Sequence, residues 1–363
     1  MKISNSAKYV IGVAAAVALL AGCTGNGGSG LTPSSGVAPS HQAMGSNHKV
    51  NLSETLVVPR SVHANLHRVI KNERIVKPNC CALQKTLFVS DAFGGSLFTG
   101  AIYMFDYVTG ASLGQVAAPP EGFSEVQGGC ADASGNVYFA NTALSTVDEY
   151  NHSGTYVATI SDPGQYPVGC SYDRSSGDLA ITNIINTSGG AGSVSIASGG
   201  AITNTYPVPN MFRVYFPGYQ AKSGVLWIAG SDSSGVFQYD SFSGGVFTNV
   251  GVHGATVGFP GSVMWSGKSM WMNVGDQDTF SSPTFYQVDS SGNVVGSTVT
   301  TCTQASNICD IVQATIKGPG LVGPDAVLLQ ANRFAYPAGG ASVLNYPASY
   351  VQPIGSAVSP NKT

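Results

Sequence analysis

Two series of short β-type segments recur along the chain, and their period restricts the fold more than any composition does. The first series is residues 87–91 (LFVSD), 137–141 (VYFAN), 179–183 (LAITN), 225–229 (VLWIA), 269–273 (SMWMN) and 326–330 (AVLLQ), with starts 50, 42, 46, 44 and 57 residues apart. The second series follows at similar intervals, at 102–106, 146–150, 192–197, 235–240, 284–289 and 342–346. Val, Ile, Tyr, Phe and Trp fill these segments, as packing on a pleated surface favours. Asp- and Gly-containing clusters at 132–136, 173–178, 240–244 and 289–293 mark the turns. Asp accepts nearby backbone hydrogen bonds there, and Gly permits the positive φ of a tight hairpin. No long 3.6-residue apolar period interrupts the series, which argues against a parallel α/β fold.

A unit of about 40–50 residues holding several strands predicts an all-β chain folded as a β-propeller. Six blades of four strands are expected over residues 75–355, with a C-terminal tail at 356–363. Each blade buries its faces against its neighbours, and closure of the ring protects the inner edges. Cys80 and Cys81 are expected in the innermost strand of the first blade, and residues 350–354 in the outermost strand of the last. A seventh blade requires a further strand set, for which residues 56–58 are the candidate.

The N-terminus carries an address. Lys2 and Lys8 precede an uncharged apolar run at 9–21, too short for a comfortable membrane span of about 20 residues. A basic start, a short apolar stretch and small residues before a cut describe an export signal. The run ends in Leu20-Ala21-Gly22-Cys23, which resembles the lipobox of bacterial lipoproteins. The resemblance implies a signal peptide at 1–22 and a mature N-terminal Cys23 carrying diacylglycerol on sulfur and an acyl chain (palmitate-type) on its amine. More than one chain makes a stable anchor. Residues 23–48 then form a tether, rich in Gly, Ser, Thr and Pro over 24–40, a composition that gives flexible linkers. Thr24 in place of Asp after the lipidated Cys implies the outer membrane in an organism that has one. The expected location is thus the bacterial cell envelope, facing the periplasm or the exterior.

Charge separates two further zones. A basic arm is expected at 49–74, within a stretch (49–85) that holds seven basic residues against Glu54 and Glu73. Residues 86–330 reverse the balance, with 17 acidic and five basic side chains. The arm can pair with the acidic body or lie on anionic phosphate groups, or its charges serve only solubility. The acidic body and the exported address disfavour nucleic acid as a partner. Only 10% of the 363 residues are charged, against about 25% in ordinary soluble domains.

Residues 129–141 (GCADASGNVYFAN) and the related stretch 169–183 resemble the innermost strand, tight turn and second strand of NHL repeats, and the chain over 75–355 is similar to NHL and YVTN-type propellers. That resemblance implies a propeller whose relatives mostly bind proteins, nucleic acids or sugars, with a minority of enzymes; fold alone does not settle function. Within such a ring Cys130 and Cys170, 40 residues apart and each preceded by Gly, fall on inner strands of adjacent blades and are a candidate disulfide. Cys302 and Cys309 bracket a polar loop as a second candidate pair, while Cys80 and Cys81 pair with each other or elsewhere.

Candidate binding residues are few. The aromatic loop at 205–219 (TYPVPNMFRVYFPGY) carries Tyr206, Phe212, Arg213, Tyr215 and Tyr219; rigid aromatics and Arg suit protein or sugar binding, and they serve equally as core. His253 in a Gly-rich connection can approach a rim pocket. Asp276 and Asp278 form a short acidic segment open to a Ca²⁺ or an exposed-loop reading, and Asp325 is placed to point into a channel. No C-x2-C pair, P-loop, G-x-S-x-G or H-E-x-x-H motif is present, so no metal, cofactor or catalytic set is expected. The leading reading is a lipid-anchored binding or scaffold module for a protein or carbohydrate partner. The alternatives are a hydrolase or lyase acting on a sugar, lactone or peptide, and a purely structural envelope protein.

Overall fold

The computed structural model describes residues 85–267, 271–276, 282–301 and 309–360. Among them the chain forms six antiparallel four-strand blades, four as separate sheets and the last two joined at their outer strands by a short parallel pairing, Thr300↔Gly340 and Thr301↔Ala341. Blade I takes β1 (Thr86–Asp91), β2 (Ala101–Asp106) and β3 (Ser112–Gln115). Blade II holds β4 (Val126–Ala131), β5 (Val137–Asn141), β6 (Thr146–Tyr150) and β7 (Tyr156–Ser161). Blade III holds β8 (Gln165–Tyr172), β9 (Leu179–Asn186), β10 (Ser193–Ser198) and β11 (Ala201–Pro207). Blade IV holds β12 (Arg213–Tyr219), β13 (Leu226–Ser231), β14 (Phe237–Ser243) and β15 (Val246–Asn249). Blade V holds β16 (Pro260–Trp265), β17 (Met272–Asp276), β18 (Thr284–Val288) and β19 (Val294–Thr301). Blade VI holds β20 (Thr315–Lys317), β21 (Gly320–Asp325), β22 (Gln330–Ala335) and β23 (Gly339–Tyr346). The last strand, β24 (Pro353–Ser359), returns to become the innermost strand of blade I.

Three sequence expectations change here. Residues 350–354 do not form the outer strand of the last blade; β23 does, and β24 closes the ring by pairing with β1 from Thr86↔Ser359 to Asp91↔Pro353. The propeller therefore runs through Ser359, past the boundary expected at 355. In blade VI the strand series is displaced: residues 326–329 form a turn between β21 and β22, and 342–346 belong to the fourth strand rather than the third. Cys80, Cys81 and residues 56–58 lie outside the described residues.

Period-2 alternation sends each second strand's side chains to two different blades. In β1, Leu87 and Val89 pack with Val322, Ala331 and Tyr346 of blade VI, whereas Phe88 packs with Val137 and Phe139 of blade II. In β13, Leu226 and Ile228 face blade III, while Trp227 and Ala229 face blade V. Trp227 stacks on Tyr239 at 5.2 Å between ring centroids. Cys130 and Cys170 join β4 to β8 with Cα atoms 5.5 Å apart, as their spacing suggested. Cys309 is also disulfide-bonded; its candidate partner Cys302 lies outside the described residues.

The centre of the ring is closed by close approach of backbones. A Cβ built on Gly128 meets Val168 O at 2.5 Å, and one on Gly355 meets the Gly128 Cα at 2.7 Å. The Gln313 side chain ties in beside them, accepting from Gly129 N at 2.9 Å and donating to Gly129 O at 2.7 Å. At the outer end, His152 holds the closure: its Nδ1 lies 2.7 Å from Ser359 Oγ and its Nε2 3.3 Å from Thr86 Oγ1. The obstacle at Gly128 is backbone, so it cannot rotate away. Gly128→Ala is expected to cost about 1–3 kcal/mol or more by overpacking, whereas Gly267→Ala, with nothing within 4 Å, is expected to be near neutral. The two urea midpoints measure the difference.

Candidate functional site

The six blade interfaces each own one apolar cluster, and a seventh cluster belongs to no single interface. It joins Ala92 and Ile354 (blade I), Val168, Ile184 and Ile185 (III), Tyr215 and Phe216 (IV), and Val312 and Ala326 (VI). Phe93, Tyr166, Phe212 and Phe259 are partly buried against it. These residues stand at or near the start of an innermost strand or the end of a second strand. They therefore gather at one end of the ring axis, and form an aromatic mouth over the closed hub.

The backbone beneath this mouth is fixed by carboxylates and amides at the ends of second strands. Asp91 accepts from Val351 N and Gln352 N, both at 2.7 Å, and so holds the segment leading into β24. Asn141 accepts from Ser124 N at 2.7 Å ahead of β4. Asp276 accepts from Gly258 N at 3.2 Å and Phe259 N at 3.4 Å, which presents the Phe259 ring. Asp325 accepts from Asp310, Val327 and Leu328 N–H groups at 2.9–3.0 Å. An acceptor at this position satisfies loop N–H groups that burial would otherwise leave orphaned.

The structure divides the expected aromatic loop among three places. Residues 205–219 are not a loop but the end of β11, a short connection and β12. Phe212 and Tyr215 belong to the mouth, where Tyr215 meets Phe259 edge-on at 5.3 Å; Arg213 is buried at the first position of β12. Tyr206 instead packs on Phe242, 5.0 Å away, between blades III and IV. Tyr219 ends β12 on the opposite face, where burial and the charges of Asp173 and Asp178 raise its hydroxyl pKa. His253 is exposed in the connection after β15, bound through its backbone to Gly292 and Val294. Asp276 and Asp325 are buried and spent on backbone N–H groups rather than pointing into open space. Asp278 lies outside the described residues.

No protein-family model matches the chain, and no curated protein matches it in sequence. Among solved structures, a chain of a nidogen/laminin complex is similar with a TM-score of 0.59 at 12% identity, covering 77% of this chain and 100% of that one. The chain is a β-propeller. Lesser likenesses are to regucalcin, a calcium-binding protein from Agrobacterium tumefaciens (TM-score 0.47, 16% identity, 64% of this chain and 77% of that one), and to a virginiamycin B lyase from Staphylococcus aureus (0.47, 14%, 72% and 85%). At these identities the likeness is one of fold.

Phe93, Tyr166 and Phe259 were not among the sequence candidates. For Tyr166 and Phe259 the signal is periodic: Phe123, Tyr166, Phe212 and Phe259 are 43, 46 and 47 residues apart, each beside the start of an innermost strand, although Phe123 packs between blades I and II and Phe93, which follows β1, stands outside the series. Among the described residues no group of three or more His, Cys, Asp or Glu is placed to hold a metal.

Burial raises the carboxyls of Asp91 and Asp325 from the usual 3.8 to about 6, desolvation outweighing the N–H groups that each accepts. The folded chain then holds these protons between about pH 4 and 6, where the unfolded chain has released them. Their contribution to stability is greatest below pH 4 and is lost as pH rises through 6. Thermal unfolding followed across this range is expected to show the decline, with a shallower slope in Asp325→Asn.

Proposed function

We propose that the protein is a lipid-anchored envelope binding module, similar to NHL and YVTN-type propellers, that uses the aromatic mouth to hold a protein partner. The observation that carries this reading is the group of Phe93, Tyr166, Phe212 and Phe259, partly exposed around one apolar cluster that draws on four blades. Rigid aromatic side chains offer contact area with few torsions to freeze. Three of the four are Phe, which favours apolar side chains of a protein over the hydroxylated face of a sugar.

Orientation supports the same reading. Lys85 adjoins Thr86, which pairs with Ser359 at the end of the ring away from Asp91 and Pro353. The six residues of β1 separate the two faces by about 20 Å. A chain tethered through Cys23 thus enters the ring, at Lys85, on the face opposite the mouth. A catalytic reading needs a base beside a nucleophile in one cleft; of the described histidines, His152 serves ring closure and His253 lies on the outer side.

A photo-crosslinking residue at Phe212 is expected to give a discrete adduct in intact cells, and one at Val246, 65% exposed on an outer strand, none. Adducts at both positions, or at neither, overturn the binding reading. Independently, Cys23→Ala is expected to abolish incorporation of labelled palmitate; persistence of the label removes the anchor.

A further inference from the structure

Lys and Arg are scarce in the folded body, and they are placed unevenly. The described residues hold Lys85, Arg174, Arg213, Lys222, Lys317 and Arg333. Arg213 is buried at the start of β12, and Arg333 donates from within β22 to the Tyr107 carbonyl. The other four share one level of the ring. Arg174 lies in the β8–β9 turn, Lys222 in the β12–β13 turn, Lys317 at the end of β20 before it turns into β21, and Lys85 directly before β1. Innermost strands end and second strands begin at this level, so all four stand on the face opposite the mouth. Arg174 and Lys222 are exposed there, Lys85 and Lys317 partly so. Among the described residues the mouth has no exposed Lys or Arg.

These cations draw together without matching counter-charge. Blades III and VI stand on opposite sides of the ring, yet Arg174 of one acts on Lys317 of the other. Burial lowers the Lys317 ammonium pKa, and the charges of Arg174 and Lys85 lower it further. Tyr107 fixes this side of the patch: its hydroxyl donates to Lys317 O at 2.7 Å, and Lys85 Nζ lies 5.7 Å over its ring. Of the carboxylates beside these turns, Asp132 and Asp173 are buried and accept from Asn136 N and Ser175 N. Asp178 and Glu149 are the partly exposed ones.

The course of the chain supplies a second, independent observation. It enters the ring at Lys85, on this same face. The preceding stretch, 49–84, carries six more basic residues against Glu54 and Glu73. We propose that this face lies on the membrane that holds the anchor, with Lys85, Arg174, Lys222 and Lys317 against the phosphates of anionic lipid headgroups. The proposal extends the anchored reading: lipidation brings the chain to the bilayer, and the four cations set which way the ring faces. Attraction to an anionic surface fades within a Debye length, roughly 8 Å at physiological salt, so only the side carrying the cations gains. The mouth then points away from the lipid.

The test uses the chain from residue 23 onward with Cys23→Ala, which carries no acyl group, so the result does not depend on the anchor. Cosedimentation is expected with vesicles of phosphatidylcholine containing one-third phosphatidylglycerol, and not with phosphatidylcholine alone. It is expected to weaken steeply with added salt. Arg174→Gln and Lys222→Gln are each expected to lower the partition coefficient about fivefold, and the triple variant with Lys317→Gln more than about fiftyfold, with unchanged melting temperatures. Binding that survives the triple substitution assigns the attraction to the 49–84 arm and overturns the proposal. Equal binding to both vesicles, or to neither, overturns it as well. Displacement by millimolar inorganic phosphate at constant ionic strength marks a site for free phosphate and also overturns it. Palmitate labelling of the chain with Cys23 intact reports on the anchor separately.

Discussion

The whole ring depends on one pairing that local sequence cannot supply: β24 against β1, joining residues from the two ends of the described chain. Each blade is a simple antiparallel meander that needs no long-range contact to form its hydrogen bonds. Blade I alone lacks its inner strand until the chain has travelled around the axis. Only then do Val358 and Ala357 enter the two apolar clusters on either side of blade I. Closure also brings Ser359 to His152 and Thr86, and Asp91 to Val351 and Gln352. Tyr107 adds a further tie between blades I and VI, since its hydroxyl donates to Lys317 O and its carbonyl accepts from Arg333 and Tyr346. Loop-closure cost is deferred to this step, so the contacts gathered there must offset it together.

Closing six blades tightly has a consequence for function. Inner strands with side chains at every position would stand farther from the axis; glycine at 128, 355 and 218 lets backbones approach until a Cβ would collide with a carbonyl. The Gln313 amide bridges β4 and β24 at their inner edges. Recognition is displaced from a channel to the surface where inner strands begin. The aromatic residues there are not loosely held, because the neighbouring backbone is clamped from below by Asp91, Asp276 and Asp325. A preorganised apolar ring loses less freedom on binding than a mobile loop does.

How far this was legible depends on the kind of signal. The second and third strands of blades I to V follow the two segment series closely, because their alternation of buried aromatic and β-branched residues is local. Blade VI was misread since Ala326–Gln330 looks as apolar as a strand, whereas the Gly- and Pro-containing β21 (GLVGPD) does not. Strand pairing overrode propensity there, as it does where both faces are buried. The closing strand was missed for a related reason: PIGSAVS is weak as a strand, and its partner is remote in sequence. At the mouth, Phe212 and Tyr215 were named from composition, but Tyr206 and Tyr219 were grouped with them because proximity in sequence stood in for proximity in space. The periodic aromatics Tyr166 and Phe259 become visible only when the register of inner strands is known.

The acidic excess of the body also changes meaning once its carboxylates are located. Asp106, Asp132, Asp173, Asp232 and Asp289 each accept turn N–H groups, and Asp91, Asp276 and Asp325 clamp the mouth. Asp is used here as a backbone acceptor that fits tight turns, so its abundance follows from the number of turns rather than from a basic partner. At Asp289 the hydrogen bonds from Asn293 hold the carboxyl below its usual pKa, whereas at Asp91 and Asp325 burial outweighs the N–H groups and raises it to about 6. A third use is the buried carboxyl bonded to side-chain amides: Asp148 to Asn141, Asp162 to Asn183 and Asp240 to Asn249, and burial raises the Asp148 carboxyl to about 7, so that a proton can join it to Glu121 through the Thr159 hydroxyl.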